Sequence, residues 1–233
     1  MWRCVGAAIL VAAGGCTSVH GSQSPQICVA PVQGFADPQA GSRGDFRSNV
    51  DFADVPISSD DIGYGATAGR GDEITIADGA VHLARPDGPQ GYRQRLRPDA
   101  REGAYMLQLV KVRAWRAEVA LPSIESLDVL GASIAEHARS VGCGAEAKLA
   151  YRIVGRAKRA EWSLDTLPRR GEYVTEGEPL VVVGLFATQD QARHFVPEGR
   201  SIHAHAVFSA LGVAGHLKAL ELEPGARLQI QAR

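Results

Sequence analysis

The chain has 233 residues, 45% of them hydrophobic, enough to bury the core of one large domain or two closely packed lobes and too apolar for a disordered segment. Twenty-five Lys and Arg stand against 26 Asp and Glu, a net charge of −1. No summed field concentrates polyanions at such a surface, so nucleic acid is not an expected partner.

Met1-Trp2-Arg3, the apolar run Cys4 to Ala13 and then Gly14-Gly15-Cys16 have the charged, apolar and small-residue regions of a secretory signal, so residues 1–15 are expected to be removed. The apolar run is too short for the roughly 20 residues of a membrane-spanning helix. Cys16 follows a lipobox-like stretch in which Ala13 stands where Leu is usual, so the protein reads as exported: an envelope lipoprotein anchored through Cys16, otherwise periplasmic or secreted. Residues 16–45, rich in Ser, Gly, Gln and Pro, read as a flexible tether, and 46–233 as the folded domain. Cys28 and Cys143 either pair in an oxidising compartment or remain two separate thiols. No C-x-x-C spacing supports thiolate metal chemistry.

Within the domain, Glu73 to Ala77 and Ala80 to Ala84 alternate around Asp78-Gly79, a dipeptide that tolerates positive φ, and predict a tight hairpin. The alternation puts Ile74 and Ile76 on one face, Glu73 and Thr75 on the other. Arg93, Arg95, Arg97 and Arg101 suit the solvated side of an edge strand, with an anion site as the lesser reading. Tyr105 to Val112 continues as strand. Leu127, Leu130, Ile134, Ala138 and Val141 recur at steps of three and four, predicting a helix over 124–141 with Ser123 as N-cap and Gly142 and Gly144 at its end. Ala147 to Ile153 reads as a strand, Leu180 to Phe186 as a central strand covered on both sides, and Ile202 to Phe208, Gly215 to Glu223 and Arg227 to Gln231 as three more. The class is therefore α+β, mixed sheets with few helices, and any boundary between two lobes lies near residue 120.

In Ile202-His203-Ala204-His205-Ala206-Val207-Phe208, period-two alternation sends both imidazoles to one face while Ile202, Ala204 and Phe208 take the other. The turn Ser209 to Ala214 then returns the chain, and His216 opens the partner strand close to His205. Three neutral imidazoles from one hairpin suit Zn²⁺, with a coordination position left open; a solvated strand face that binds nothing is the competing reading. His20, His82, His137 and His194 have no partner at ligand spacing and are expected at the surface.

This pattern resembles the α-acetolactate decarboxylase family, in which an H-x-H strand is followed after ten residues by the histidine of a G-G-H segment; here the segment is Ala214-Gly215-His216. Asp61-Ile62-Gly63-Tyr64-Gly65, then Gly71-Asp72-Glu73 and Asp78-Gly79, is similar to the family's D-F-G-x-G segment, D-G-E strand and D-G turn. Ala150-Tyr151-Arg152-Ile153-Val154-Gly155 is similar to its A-I-R-I-D-G. The resemblance spans about residue 54 to the end of the sequence. It implies zinc on His203, His205 and His216, with Glu73 and Arg152 as the catalytic pair.

By that resemblance the expected reaction is zinc-dependent decarboxylation of 2-acetolactate to acetoin and CO₂, the metal acting as Lewis acid on a 2-hydroxy-3-keto acid. Arg152 is expected to bind the substrate carboxylate in a guanidinium fork and Glu73 to deliver the proton. The family's further glutamate, in a tail beyond the third histidine, has no counterpart among the seventeen residues after His216; Glu221 and Glu223 match it only by proximity in sequence. The alternative function is a non-catalytic envelope lipoprotein that binds zinc or a small hydroxy-keto acid. Monomer and homodimer are both compatible with the sequence.

Overall fold

A computed structural model describes residues 28–36, 40–99, 101–188 and 196–232; the expected signal, the anchor Cys16, His20 and His194 lie outside them. Strands β1 (Val32–Phe35), β2 (Val50–Asp51), β3 (Ile62–Thr67), β4 (Glu73–Ala77), β5 (Ala80–Asp87), β6 (Gly91–Arg95) and β7 (Gly103–Val110) form a first, antiparallel sheet in the order β1-β7-β3-β4-β5-β6, with β2 also on β7. Then come β8 (Val119–Ala120), the helix α1 (Leu127–Ser140), β9 (Lys148–Leu164), β10 (Gly171–Glu176), β11 (Pro179–Ala187), β12 (Ile202–Phe208), β13 (Val213–Leu222) and β14 (Arg227–Ile230). Strands β8–β14 make the second seven-stranded sheet, so the chain changes sheets between Val110 and Val119, close to the boundary expected near 120.

The 17-residue β9 is the spine of the second sheet. Its first half pairs with β11 and its second half with β13, while β12 pairs with both, closing β9-β11-β12-β13 into a four-stranded ring. Closure leaves fewer edges open to stray pairing. Gly184 permits it locally, because a Cβ there would lie 1.9 Å from the His203 carbonyl oxygen and 2.6 Å from Tyr151 Oη. Tyr151 Oη uses this approach to donate to the same carbonyl at 3.0 Å, fixing the backbone of His203.

Alternation sorts the ring's side chains into two layers. Ile202, Ala204, Ala206 and Phe208 join Tyr151, Ile153, Trp162 and the buried helix residues Leu127, Leu130, Ile134 and Ala138 in the largest core cluster. Val183, Leu185, Val207 and Ala214 face the other way and pack on Ile62, Tyr64 and Ala77 of the first sheet. The histidines of β12 share this second layer, between the sheets.

Three expectations are corrected. The helix begins at Leu127, not 124, and Ser126 caps it, its Oγ accepting from Val129 N at 3.1 Å; Ile124 is held in a bridge with Leu222 and cannot turn helical. Part of the expected tether is folded: Cys28 is disulfide-bonded to Cys143, and β1 pairs with β7. His82 is partly buried on β5, and burial lowers its pKa.

Candidate metal centre and cleft

His205 and His216 are cross-strand partners in the β12–β13 ladder, and His203 lies one alternation up the same face of β12. The ring centroids are 4.8 Å apart for His203–His216, 5.1 Å for His205–His216 and 5.3 Å for His203–His205. Each ring offers a nitrogen, and these atoms lie within 4.8 Å of one another, near enough to converge on one ion through small ring rotations.

The neighbours select which nitrogen is offered. His205 Nδ1 is 2.8 Å from Thr75 Oγ1, leaving Nε2 toward the cleft, 3.9 Å from Glu73 Oε1. His216 Nδ1 is 3.4 Å from Asp165 Oδ2 and 3.4 Å from Lys218 Nζ, which again leaves Nε2 free. Metal-binding histidines use their second nitrogen in this way, since a partner there fixes the tautomer and the ring orientation. Burial, together with the neighbouring His216 and His203, holds the pKa of His205 well below its usual value; burial also lowers that of His216, against the pull of Asp165. Neutral imidazoles carry the lone pairs a divalent ion needs, so the donor set fits such an ion.

Tyr64, from the Gly63-Tyr64-Gly65 segment of β3, covers the other side of the triad. Its buried ring lies 3.8 Å from that of His203 and 5.3 Å from that of His205. Glu73 is only 7% exposed, and its Oε2 accepts from the backbone N–H of Asp165 at 3.0 Å. Burial and the charge of Asp165 push its pKa up to about 8, against the Asp165 N–H, Lys218 and Arg70. Asp165 itself is held well below the usual carboxylate range by hydrogen bonds from His216, Arg170 and Lys218. One carboxyl near the triad thus favours its proton while the other refuses one, a contrast typical of functional sites.

These groups line a cleft of about 360 Å³, bounded by His203, His205, His216, Glu73 and Asp165 on the polar side and by Phe46, Tyr64, Tyr105 and Met106 on the apolar side, with Arg70 also on its wall. The volume is at the small end of the ~300–1,000 Å³ typical of small-molecule sites. Arg152 is elsewhere: its guanidinium is clamped by Asp78 of the β4–β5 turn at 2.8, 2.9 and 3.0 Å, and it does not line the cleft. Glu221 pairs with Lys158 at 2.9 Å and Glu223 is exposed, so neither reaches the cleft as a tail carboxylate. Sequence reasoning missed Asp165, Lys218 and Arg70. Only Lys218 left a signal there, two residues beyond His216 on the same strand.

No family model and no curated protein matches the chain. Solved structures do. An alpha-acetolactate decarboxylase from Bacillus subtilis strain 168 is 14% identical, with a TM-score of 0.63 over 81% of this chain and 79% of that one. The enzyme of Bacillus subtilis subspecies spizizenii gives 14% and 0.64, over 81% and 80%. A Staphylococcus aureus protein of unknown function, described as similar to alpha-acetolactate decarboxylase, gives 14% and 0.63, over 81% and 79%. With two sheets arranged in this way and matched over four-fifths of its length, the chain has the acetolactate decarboxylase fold.

Proposed function

We propose that the protein is a zinc-dependent carboxy-lyase that converts 2-acetolactate, or a close 2-hydroxy-3-keto acid, into the hydroxy ketone and CO₂. The observation that carries this is the convergence of His203, His205 and His216 beside the buried carboxyl of Glu73 in a small cleft of the matching fold. When bound, the ion supplies Lewis-acid stabilisation of the charge left on the substrate oxygens as CO₂ departs. The chain's own residues do the rest. Thr75 and Asp165 orient His205 and His216, and Tyr151 fixes the backbone of His203. Phe46, Tyr64, Tyr105 and Met106 keep water from the apolar side of the substrate. The bond between the carboxylate carbon and C2 breaks, its electron pair stays on the substrate, and Glu73 returns a proton to C2 as general acid.

The Cys28–Cys143 disulfide supports an exported location, since such bonds persist in oxidising compartments. The expected signal and the anchor at Cys16 belong to the same proposal. A second reading, binding of zinc or a hydroxy-keto acid without turnover, draws on the positions of Glu221 and Glu223 away from the cleft. The experiment that separates the two follows acetoin released from racemic acetolactate by zinc-loaded protein. Release above the spontaneous rate that disappears in His203→Ala supports the lyase; no acceleration over that rate rejects it.

A further inference from the structure

A ligand carboxylate needs a cation in the cleft, and several cations among the described residues are already paired. Arg152 is held by Asp78, Arg95 by Asp72 and Glu102, Arg159 by Glu161 and Glu176, and Arg170 and Lys218 by Asp165. Arg70 differs. It lines the cleft with the three histidines and Glu73, and no carboxylate among the described residues pairs with it. One of its NH₂ groups donates to the backbone carbonyl of Asp165 at 2.7 Å, and the guanidinium carbon lies 5.5 Å from the centre of the Phe46 ring. These two contacts fix the plane of the fork and use one of its five donors, leaving the others for a ligand.

The backbone is built to hold it there. Arg70 sits at φ 54 directly after Gly69 at φ 70, in the short turn between β3 and β4. Gly69 N donates to Phe46 O at 2.7 Å, and Leu167 N donates to Arg70 O at 2.8 Å, tying the turn to both walls of the cleft. Positive φ at a non-glycine residue costs free energy, and the turn that holds it sets Arg70 on the cleft wall. Phe46 is in turn braced edge-on by Tyr105, with ring centroids 5.1 Å apart at 81°.

We infer that Arg70 is the anion anchor of the histidine cleft, binding the carboxylate of a 2-hydroxy acid whose hydroxyl end faces the imidazoles. This rests on the reading of the cleft as a metal site and replaces Arg152 in the role of carboxylate partner. Phe46 acts as a positioning residue for the guanidinium.

The test uses the zinc-loaded full chain and calorimetric titration with two stable probes: 2,3-dihydroxy-2-methylbutanoate, which has the carboxylate but no ketone to react, and 2,3-butanediol, its neutral counterpart. Arg70→Gln is expected to weaken the hydroxy acid by about tenfold or more, the loss of a charge-assisted hydrogen bond, with the diol unaffected. Arg70→Lys keeps the charge and recovers part of the affinity, covering the case in which the Gln variant folds poorly. Arg152→Gln is expected to bind both probes as wild type does. The anchor is overturned if Arg70→Gln binds the hydroxy acid normally, if the loss appears in Arg152→Gln instead, or if wild type does not bind the hydroxy acid. Acetoin release by wild type separates the two claims: turnover with no Arg70 effect removes the anchor alone, and Arg70-dependent binding with no turnover removes the lyase alone.

Discussion

Thr75 and Asp165 decide what His205 and His216 can offer an ion, since each takes up an Nδ1 and turns an Nε2 toward the cleft. Removing such a partner typically lowers metal affinity about 10–100-fold, so Thr75→Val is predicted to weaken zinc binding by that factor in a competition titration, and to cost the zinc-free protein about 1–3 kcal/mol because the buried Nδ1 of His205 loses its partner. Unchanged affinity would show that the hydroxyl does nothing for the ring. Glu73 carries a second prediction. Its pKa rises from 4.5 to about 8 in the zinc-free protein, so the stability it contributes is fully present below 4.5 and is lost as pH rises through 8. Glu73→Gln removes that loss; its advantage in melting temperature over zinc-free wild type is expected to grow between about pH 5 and about pH 9, whereas a constant difference would contradict the assignment. A bound ion favours the charged carboxylate and shrinks the effect. Both residues share a strand face whose alternation is written in Glu73-Ile74-Thr75-Ile76, and the histidine triad was legible for the same reason. Asp165 and Arg70 follow no such period. They stand just past the ends of β9 and β3, and long-range contacts across 95 positions of sequence bring them together.

Strand β9 shows how an element can be half visible. Ala147 to Ile153 alternates as a strand should, but beyond it Arg156, Lys158 and Arg159 read as surface. The strand continues to Leu164 because its second half has partners on both edges, β10 and β13, and no local propensity reports that. The β4–β5 turn was legible, although β5 runs on to Asp87, past the expected Ala84: Asp78 at φ 48 and Gly79 at φ 72 are the positive angles a two-residue turn demands. Gly184 on β11 is a sensitive point in the ring. Gly184→Ala places a methyl against the His203 carbonyl and Tyr151, and overpacking of this kind costs about 1–3 kcal/mol. Chemical denaturation should show that loss together with weaker zinc binding, because the clash moves the backbone of His203. Loss of stability with zinc affinity intact would separate the ring's packing from the metal centre.

At the scale of the molecule, two sheets meet face to face and the cleft opens where side chains of β3 and β4 approach those of β12 and β13. The Cys28–Cys143 bond closes a loop of 115 residues across both sheets. The sequence offers that pair with two free thiols as the alternative, since cysteine counts carry no geometry. Cys28→Ser with Cys143→Ser is predicted to lower unfolding free energy by about 2–5 kcal/mol in denaturant titration. The proposed chemistry requires three imidazoles that share one divalent ion, and metal stoichiometry of the purified protein tests this most directly. Elemental analysis after zinc loading and dialysis should give one ion per chain in wild type and almost none in His203→Ala, His205→Ala and His216→Ala. Wild type free of bound metal, or ion retained when any one of these histidines is replaced, would contradict it.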